Sequence, residues 1–355
     1  MPNHASKKAN QKASRPFCRN LPRTLPPLPP AVAADPRRAR AITLMGSKWV
    51  NGTVLNFCFF KDGHYAVPEA QMSAIGHALD TWKEVGIGIG FREVAQLAEA
   101  EVRIGYSAAD GSSASGVGRE ILKIPVNEPT TVYGWDLTTP YERGTALHEL
   151  GHVLGMEHEH QNPNAGIVWH EQAVYDALAQ PPNNWPPATT YHNILEKLSL
   201  GQVQGSNWDP DSIMEYEFEP GMIDDPDKYD IEGLKPPGTL SAADKQWSLK
   251  FYPRLVDTLP VLQPFQSVTA EIAAGQQLDY TFEPTETRKY RIETKGASDT
   301  CWCCLKTSTA CRATCRATTT AEKTATPASS TTASAGAVTR SGCACITRAC
   351  RARHR

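Results

Sequence analysis

An α+β fold is what this sequence predicts, and three observations predict it. Several β-rich runs lie before residue 140, an amphipathic helix pattern sits among them, and the later half carries helices with legible starts and stops. The first strand is Thr53–Phe60, a β-rich run after the turn Trp49-Val-Asn-Gly52. From Pro68 to Val85, Met72, Ile75, Ala78, Leu79 and Trp82 recur at helical spacing, with Pro68 suited to the first turn and Gly86 just past the end. Those five residues are core candidates. Ile87–Val94 and Glu101–Tyr106 read as further strands, and residues 107–118, rich in Ser, Gly and Ala, as a loop. Arg119–Val126 and Pro129–Trp135 have strand character, and Asp136–Pro140 ends the sheet.

A helix from Glu142 to Leu154, ended by Gly155, carries the chemistry. His148 and His152 are four apart, so on a helix with 3.6 residues per turn their imidazoles leave one face close enough to share a metal ion. Glu149, on the same turn, can reach a water on that metal without binding the metal itself, which makes it the candidate general base. Gly155 tolerates positive φ, so it can end the helix and bring His158 round as a third ligand, with the fourth position left to water. Five specified residues, three of them His, coincide by composition on the order of once in 10⁷ windows. A structural zinc site would favour Cys-rich four-ligand sets, and no Cys lies between Cys58 and Cys301. With three ligands complete, His160 and His170 are expected to be supporting or surface groups.

His148-Glu149-x-x-His152-x-x-Gly155-x-x-His158 resembles the zinc signature of the metzincin metallopeptidases. The run Asp209-Pro-Asp-Ser-Ile-Met-Glu-Tyr216 resembles the family's methionine turn, with Met214 at its centre, and Glu159 after the third His resembles astacins. The cysteine pairs of animal astacin domains are absent, so the likeness is to an astacin-like relative of microbial type. The resemblance implies a two-subdomain metzincin fold over residues 42–254, a twisted sheet and zinc helix above the cleft and a Met-turn subdomain below. It implies one catalytic Zn²⁺ on His148, His152 and His158, with Glu149 as base, Gly155 and Met214 in structural roles, and Tyr216 supporting the oxyanion. The expected activity is zinc-dependent endopeptidase hydrolysis of protein or peptide substrates. The alternative is a catalytically silent zinc-containing module that binds peptides.

Beyond the metal helix, His170–Ala179 reads as a short helix, residues 180–189 as a Pro-rich loop holding Trp185, and Tyr191–Leu198 as another short helix. Residues 217–238, rich in Asp and Pro, read as loop, and Ser241-Ala-Ala-Asp244 as a capping box opening a last helix, Ala242–Tyr252, closed by Pro253. Pro264–Ile272, Gln277–Phe282 and Arg288–Thr294 have strand patterns, so residues 258–300 read as part of a β-sandwich similar to prepeptidase C-terminal domains.

The two ends are compositionally unlike the middle. Residues 1–41 mix Lys and Arg with Leu-Pro-Pro-Leu-Pro-Pro, cannot bury apolar area, and are expected to stay disordered, with no signal peptide visible. Cys18 in that segment resembles the cysteine switch of matrixin propeptides, but a cysteine in a disordered segment is expected to be inert. At the other end, eight of the ten cysteines fall between Cys301 and Cys350, among Thr, Ala and Arg, at spacings that match no zinc pattern. Residues 301–355 are read as a frameshifted tail that does not fold.

The 355 residues are 40% hydrophobic, ample for a core, and the net charge of -2 argues against nucleic-acid binding. No apolar run nears the roughly 20 residues of a membrane span. A monomer is expected, and the resemblance implies an extracellular setting.

Overall fold

The computed structural model describes residues 17–18, 47–108, 111–139, 142–198, 207–256, 260–263, 265–271, 278 and 280–282. Strands β1 (Val54–Phe59), β2 (Gly90–Glu93) and β3 (Val102–Tyr106) and helix α1 (Glu69–Glu84) fall where the sequence patterns put them. Along β1 the alternate residues Leu55, Phe57 and Phe59 pack into the core, and Ile75, Ala78, Leu79 and Trp82 of α1 meet them there. The Trp82 indole N–H donates to the Leu147 carbonyl at 3.1 Å, fixing α1 against the histidine-bearing helix α2 (Arg143–Val153).

Strands β4 (Ala114–Ser115) and β5 (Thr131–Tyr133) complete a five-stranded sheet of order β2-β1-β3-β5-β4. The first four are parallel neighbours, and β4 runs antiparallel to β5 as an edge strand packed beside α2. Thus the expected loop 107–118 contains a strand. The expected strand at 119–126 is instead a 3₁₀ helix, Gly118–Lys123. β5, the strand that follows this run, is already paired on both edges, by β3 and β4. It buries one side chain, Ile121, while Leu122 stays exposed, and Gly118 sets the turn at φ +50°.

A second layer follows: β6 (Val168–Trp169), α3 (Glu171–Leu178) and α4 (Pro187–Thr190), which runs on into a π-helical turn at Tyr191–Leu195. The expected loop at 217–238 holds β7 (Ile223–Asp225), antiparallel to β6, and helix α5 (Asp227–Glu232). Its Pro and Asp residues are helix starters here: Pro226 is the N-cap, Asp227 and Asp230 lie in the first turn, and Gly233 closes it at φ +71°. Helix α6 (Ala242–Phe251) opens with the expected capping box, Ser241 and Asp244 bonding each other's backbone N–H. Near the C-terminal end β8 (Val261–Leu262) pairs in parallel with β9 (Thr281–Phe282). Val261–Leu262 makes that pairing, and the described part of the expected strand 264–272 is not a strand. The expected strand 288–294 and the tail 301–355 lie outside the described residues, as do 1–16 and 19–46.

Two hydrophobic cores result. The first joins the sheet, α1, α2 and Met214; the second joins Val174, Leu178, Trp185, Ile194, Tyr216, Phe218 and Ile223. The turn at 212–216 stitches them, sending Met214 into one and Tyr216 into the other. Among the described residues no helix is long and apolar enough to cross a membrane.

Candidate metal centre and cleft

Helix α2 is buried along most of its length, so its polar groups need named partners. At its C-terminus the Met156 N–H bonds the Gly151 carbonyl at 3.0 Å and the Gly155 N–H bonds the His152 carbonyl at 2.8 Å, a Schellman closure. Gly155 adopts φ +89°, which a side chain would oppose. The leftover carbonyls of Val153 and Leu154 accept from the Trp49 indole at 2.7 Å and the Tyr252 hydroxyl at 2.6 Å. This closure turns the chain so that His158 faces the helix.

The three predicted ligands do come together. His148 Nδ1 meets the Ile213 carbonyl at 2.8 Å and His152 Nδ1 meets the Met156 carbonyl at 2.9 Å, so each ring turns its Nε2 inward. His152 Nε2 and His158 Nε2 are 3.1 Å apart. Burial drives the His148 imidazole down to about 4 and the His158 imidazole well below the ordinary histidine range, with neighbouring histidines pushing the same way. Both are therefore neutral, which is the ligating form.

A fourth donor joins them: Cys18 and the three histidines place one ligand atom each within 4.8 Å of one another, all four residues buried. The sequence expectation for Cys18 does not hold. Phe17 and Cys18 are packed against the site, although they belong to the stretch expected to be disordered. The Tyr216 hydroxyl donates to the Cys18 carbonyl at 2.7 Å, and the Phe17 N–H donates to Asn183 Oδ1 at 2.8 Å.

Glu149 is fully buried, and neither carboxylate oxygen has a conventional hydrogen-bond partner among the described residues. Burial pushes its carboxyl up to about 8, with the adjacent Cys18 thiol counteracting. Tyr216 is buried too, and that burial holds its phenol well above the usual tyrosine range, in the protonated, donating form. Met214 packs on Gly151, where an added Cβ would strike its sulfur. The same turn ties down the third ligand, the Glu159 N–H bonding the Met214 carbonyl at 3.1 Å.

His160 is a buried support: its Nδ1 lies 3.1 Å from Glu215 Oε1 and its Nε2 2.9 Å from the Asn193 carbonyl. Glu215 Oε2 in turn accepts from the Trp208 indole at 2.6 Å. His170 caps α3, accepting from the Ala173 N–H at 3.1 Å. Sequence reasoning missed Phe17, Asn183 and Glu215, and the bonds from the capping residue Asp244 to Ser212 and Ile213, since these depend on contacts far apart in the chain. One signal was present for Phe17: an aromatic and a thiol side by side in a segment rich in Lys, Arg, Pro and Ala with no other aromatic ring of Phe, Tyr or Trp.

No protein-family model matches the chain. Bone morphogenetic protein 1 of Xenopus laevis is 31% identical over 118 residues, which are 31% of this chain and 15% of that protein's length. The structure of myroilysin matches at 31% identity with a TM-score of 0.53, over 60% of this chain and 98% of its own. The chain belongs to the astacin-like metzincin metalloendopeptidases. A hatching enzyme zinc-protease from the medaka fish Oryzias latipes also matches, at 15% identity over 58% of this chain and 93% of its own, with a TM-score of 0.38. Astacin-like metzincins use one catalytic zinc ion. The residues present fit it: three buried imidazoles and a thiol are the donor types zinc takes, and the inward Nε2 of buried His148 has no other partner among the described residues.

Proposed function

We propose that this chain is a zinc-dependent endopeptidase acting on proteins or peptides, here held latent by its own Cys18. The observation that carries the reading is a buried carboxylate, Glu149, with no conventional hydrogen-bond partner among the described residues, one residue from His148 and three from His152, whose imidazoles face inward, and beside a wall that holds a peptide carbonyl. His148, His152 and His158 are the residues that would hold zinc. When bound there, zinc supplies Lewis acidity toward a peptide carbonyl and lowers the pKa of a water to about 7.

The roles of the side chains follow from where they sit. Glu149, buried beside the three histidines, takes the proton of the attacking water and returns it to the leaving amine. Tyr216 already donates to the carbonyl of Cys18, and it makes the same bond to a substrate carbonyl as negative charge develops there. Water-excluding walls strengthen that bond. Cys18 has to leave first, because its thiol holds the position that a substrate and water need. Family membership supports an extracellular setting.

The test is hydrolysis of casein by the zinc-loaded chain before and after its thiol is blocked with an organomercurial. Chelator-sensitive cleavage that appears on blocking is expected. Stoichiometric zinc with no cleavage in either state would leave the silent peptide-binding module in its place.

A further inference from the structure

Phe17 and Cys18 are held as a bound peptide would be. One backbone N–H is taken by Asn183 and one backbone carbonyl by Tyr216, contacts that any peptide sequence could make. The selective contact is the Phe17 side chain. Its ring centroid lies 5.1 Å from that of Tyr216, edge on, 5.7 Å from Phe218 and 6.0 Å from Trp185.

The walls of this box do not depend on Phe17 for their position. Phe218 is bridged to Leu234 in an isolated β-contact, its N–H reaching the Leu234 carbonyl at 2.9 Å. Trp185 is fixed by its own N–H, which bonds the Leu178 carbonyl at 2.8 Å, and it belongs to the second core. Tyr216 follows the methionine turn. An open cleft of about 220 Å³, lined among others by Trp135, Glu142, Glu217, Phe17, Cys18 and Tyr216, borders neither Trp185 nor Phe218. The aromatic box therefore opens off that cleft at Phe17 and Tyr216, beside the residue whose carbonyl Tyr216 holds.

We infer that Trp185, Tyr216 and Phe218, with Asn183 as the backbone anchor, form a substrate subsite for an aromatic side chain on the residue preceding the one whose carbonyl is attacked, which Phe17 fills in the latent chain. The inference rests on the peptidase reading and adds a substrate class to it: peptides and unfolded proteins bearing Phe, Tyr or Trp two residues before the cleaved bond.

The full chain is loaded with zinc, its thiol blocked with an organomercurial, and denatured casein digested; mass spectrometry then gives the cleaved bonds. Aromatic residues are expected at the second position before the scissile bond, enriched at least about fivefold over their frequency in the substrate. In the Trp185→Ala chain that enrichment is expected to vanish. Cleavage without aromatic bias overturns the subsite and leaves the peptidase reading standing. No cleavage at all by the loaded, blocked chain overturns the peptidase reading and the subsite with it. A second measurement avoids disturbing the core: in the full chain, Phe17→Ala is expected to speed activation by the thiol reagent at least about fivefold. An unchanged rate would mean that the box does not bind the ring, and would overturn the assignment.

Discussion

The metal site has a built side and a docked side. His148 and His152 leave one helix whose C-terminus is closed by a Schellman turn, a tyrosine and a tryptophan, and their Nδ1 atoms rest on backbone carbonyls. Opposite them, Phe17 and Cys18 are held by two backbone hydrogen bonds and a set of ring contacts. Among the described residues, the built side is anchored by the fold itself and the docked side by contacts that a substrate could replace. On the proposed reading, His148 and His152 stay through turnover and Cys18 leaves.

That contrast is broken most severely on the built side. Glu149→Gln is expected to lower kcat by about 10³-fold or more while zinc content is unchanged, since the amide keeps the shape and loses the base. Retained turnover would place the base elsewhere. Tyr216→Phe touches both sides: it is expected to lower kcat/KM by about 10²-fold and also to speed activation of the latent chain, because it removes the bond to the Cys18 carbonyl. If only one of the two changes, the shared use of that hydroxyl is wrong.

A third substitution tests how far the built side extends. Asp244 accepts from the Ser212 hydroxyl at 2.6 Å and the Ile213 N–H at 2.8 Å, and the Ile213 carbonyl is the partner of His148. The cap of α6 thus positions a metal ligand two steps away. Asp244→Ala is expected to destabilise the fold by about 2–3 kcal/mol in denaturant unfolding and to weaken zinc binding about tenfold, where a purely structural cap would change stability alone.

The smallest effect concerns pH. Burial, with Glu215 nearby, pushes the Glu159 carboxyl up to about 7 from an ordinary 4.5. The folded state therefore holds a proton that the unfolded state releases between those values, so this group's contribution falls as pH rises from 4.5 to about 7. Glu159→Gln is expected to be more stable than the parent by about 1–3 kcal/mol near pH 8 and indistinguishable near pH 4. Thermal unfolding at the two pH values checks it.

What was legible in the sequence follows the same division. The zinc helix, its glycine stop, the third histidine and the methionine turn are readable because short spacings and one helical period set them. β1, α1 and the capping box of α6 are likewise local patterns. Arg119–Val126 misled because strand-like composition cannot reveal that both edges of β5 are occupied. Residues 217–238 misled because Pro and Asp serve helix starts as readily as loops. Cys18 was undervalued for a deeper reason: a basic, Pro-rich segment buries nothing on its own, and only the box of Trp185, Tyr216 and Phe218, some two hundred residues away, gives its Phe-Cys pair somewhere to pack.

The central claim is that Cys18 closes the same metal position that catalysis needs open. X-ray absorption at the zinc edge of the full chain tests it directly. About three nitrogen ligands near 2.0–2.1 Å and one sulfur near 2.3 Å are expected, with the sulfur lost in Cys18→Ala and casein cleavage gained in the same preparation. A zinc shell of nitrogen and oxygen alone in the parent chain, or a sulfur that persists in Cys18→Ala, would contradict it.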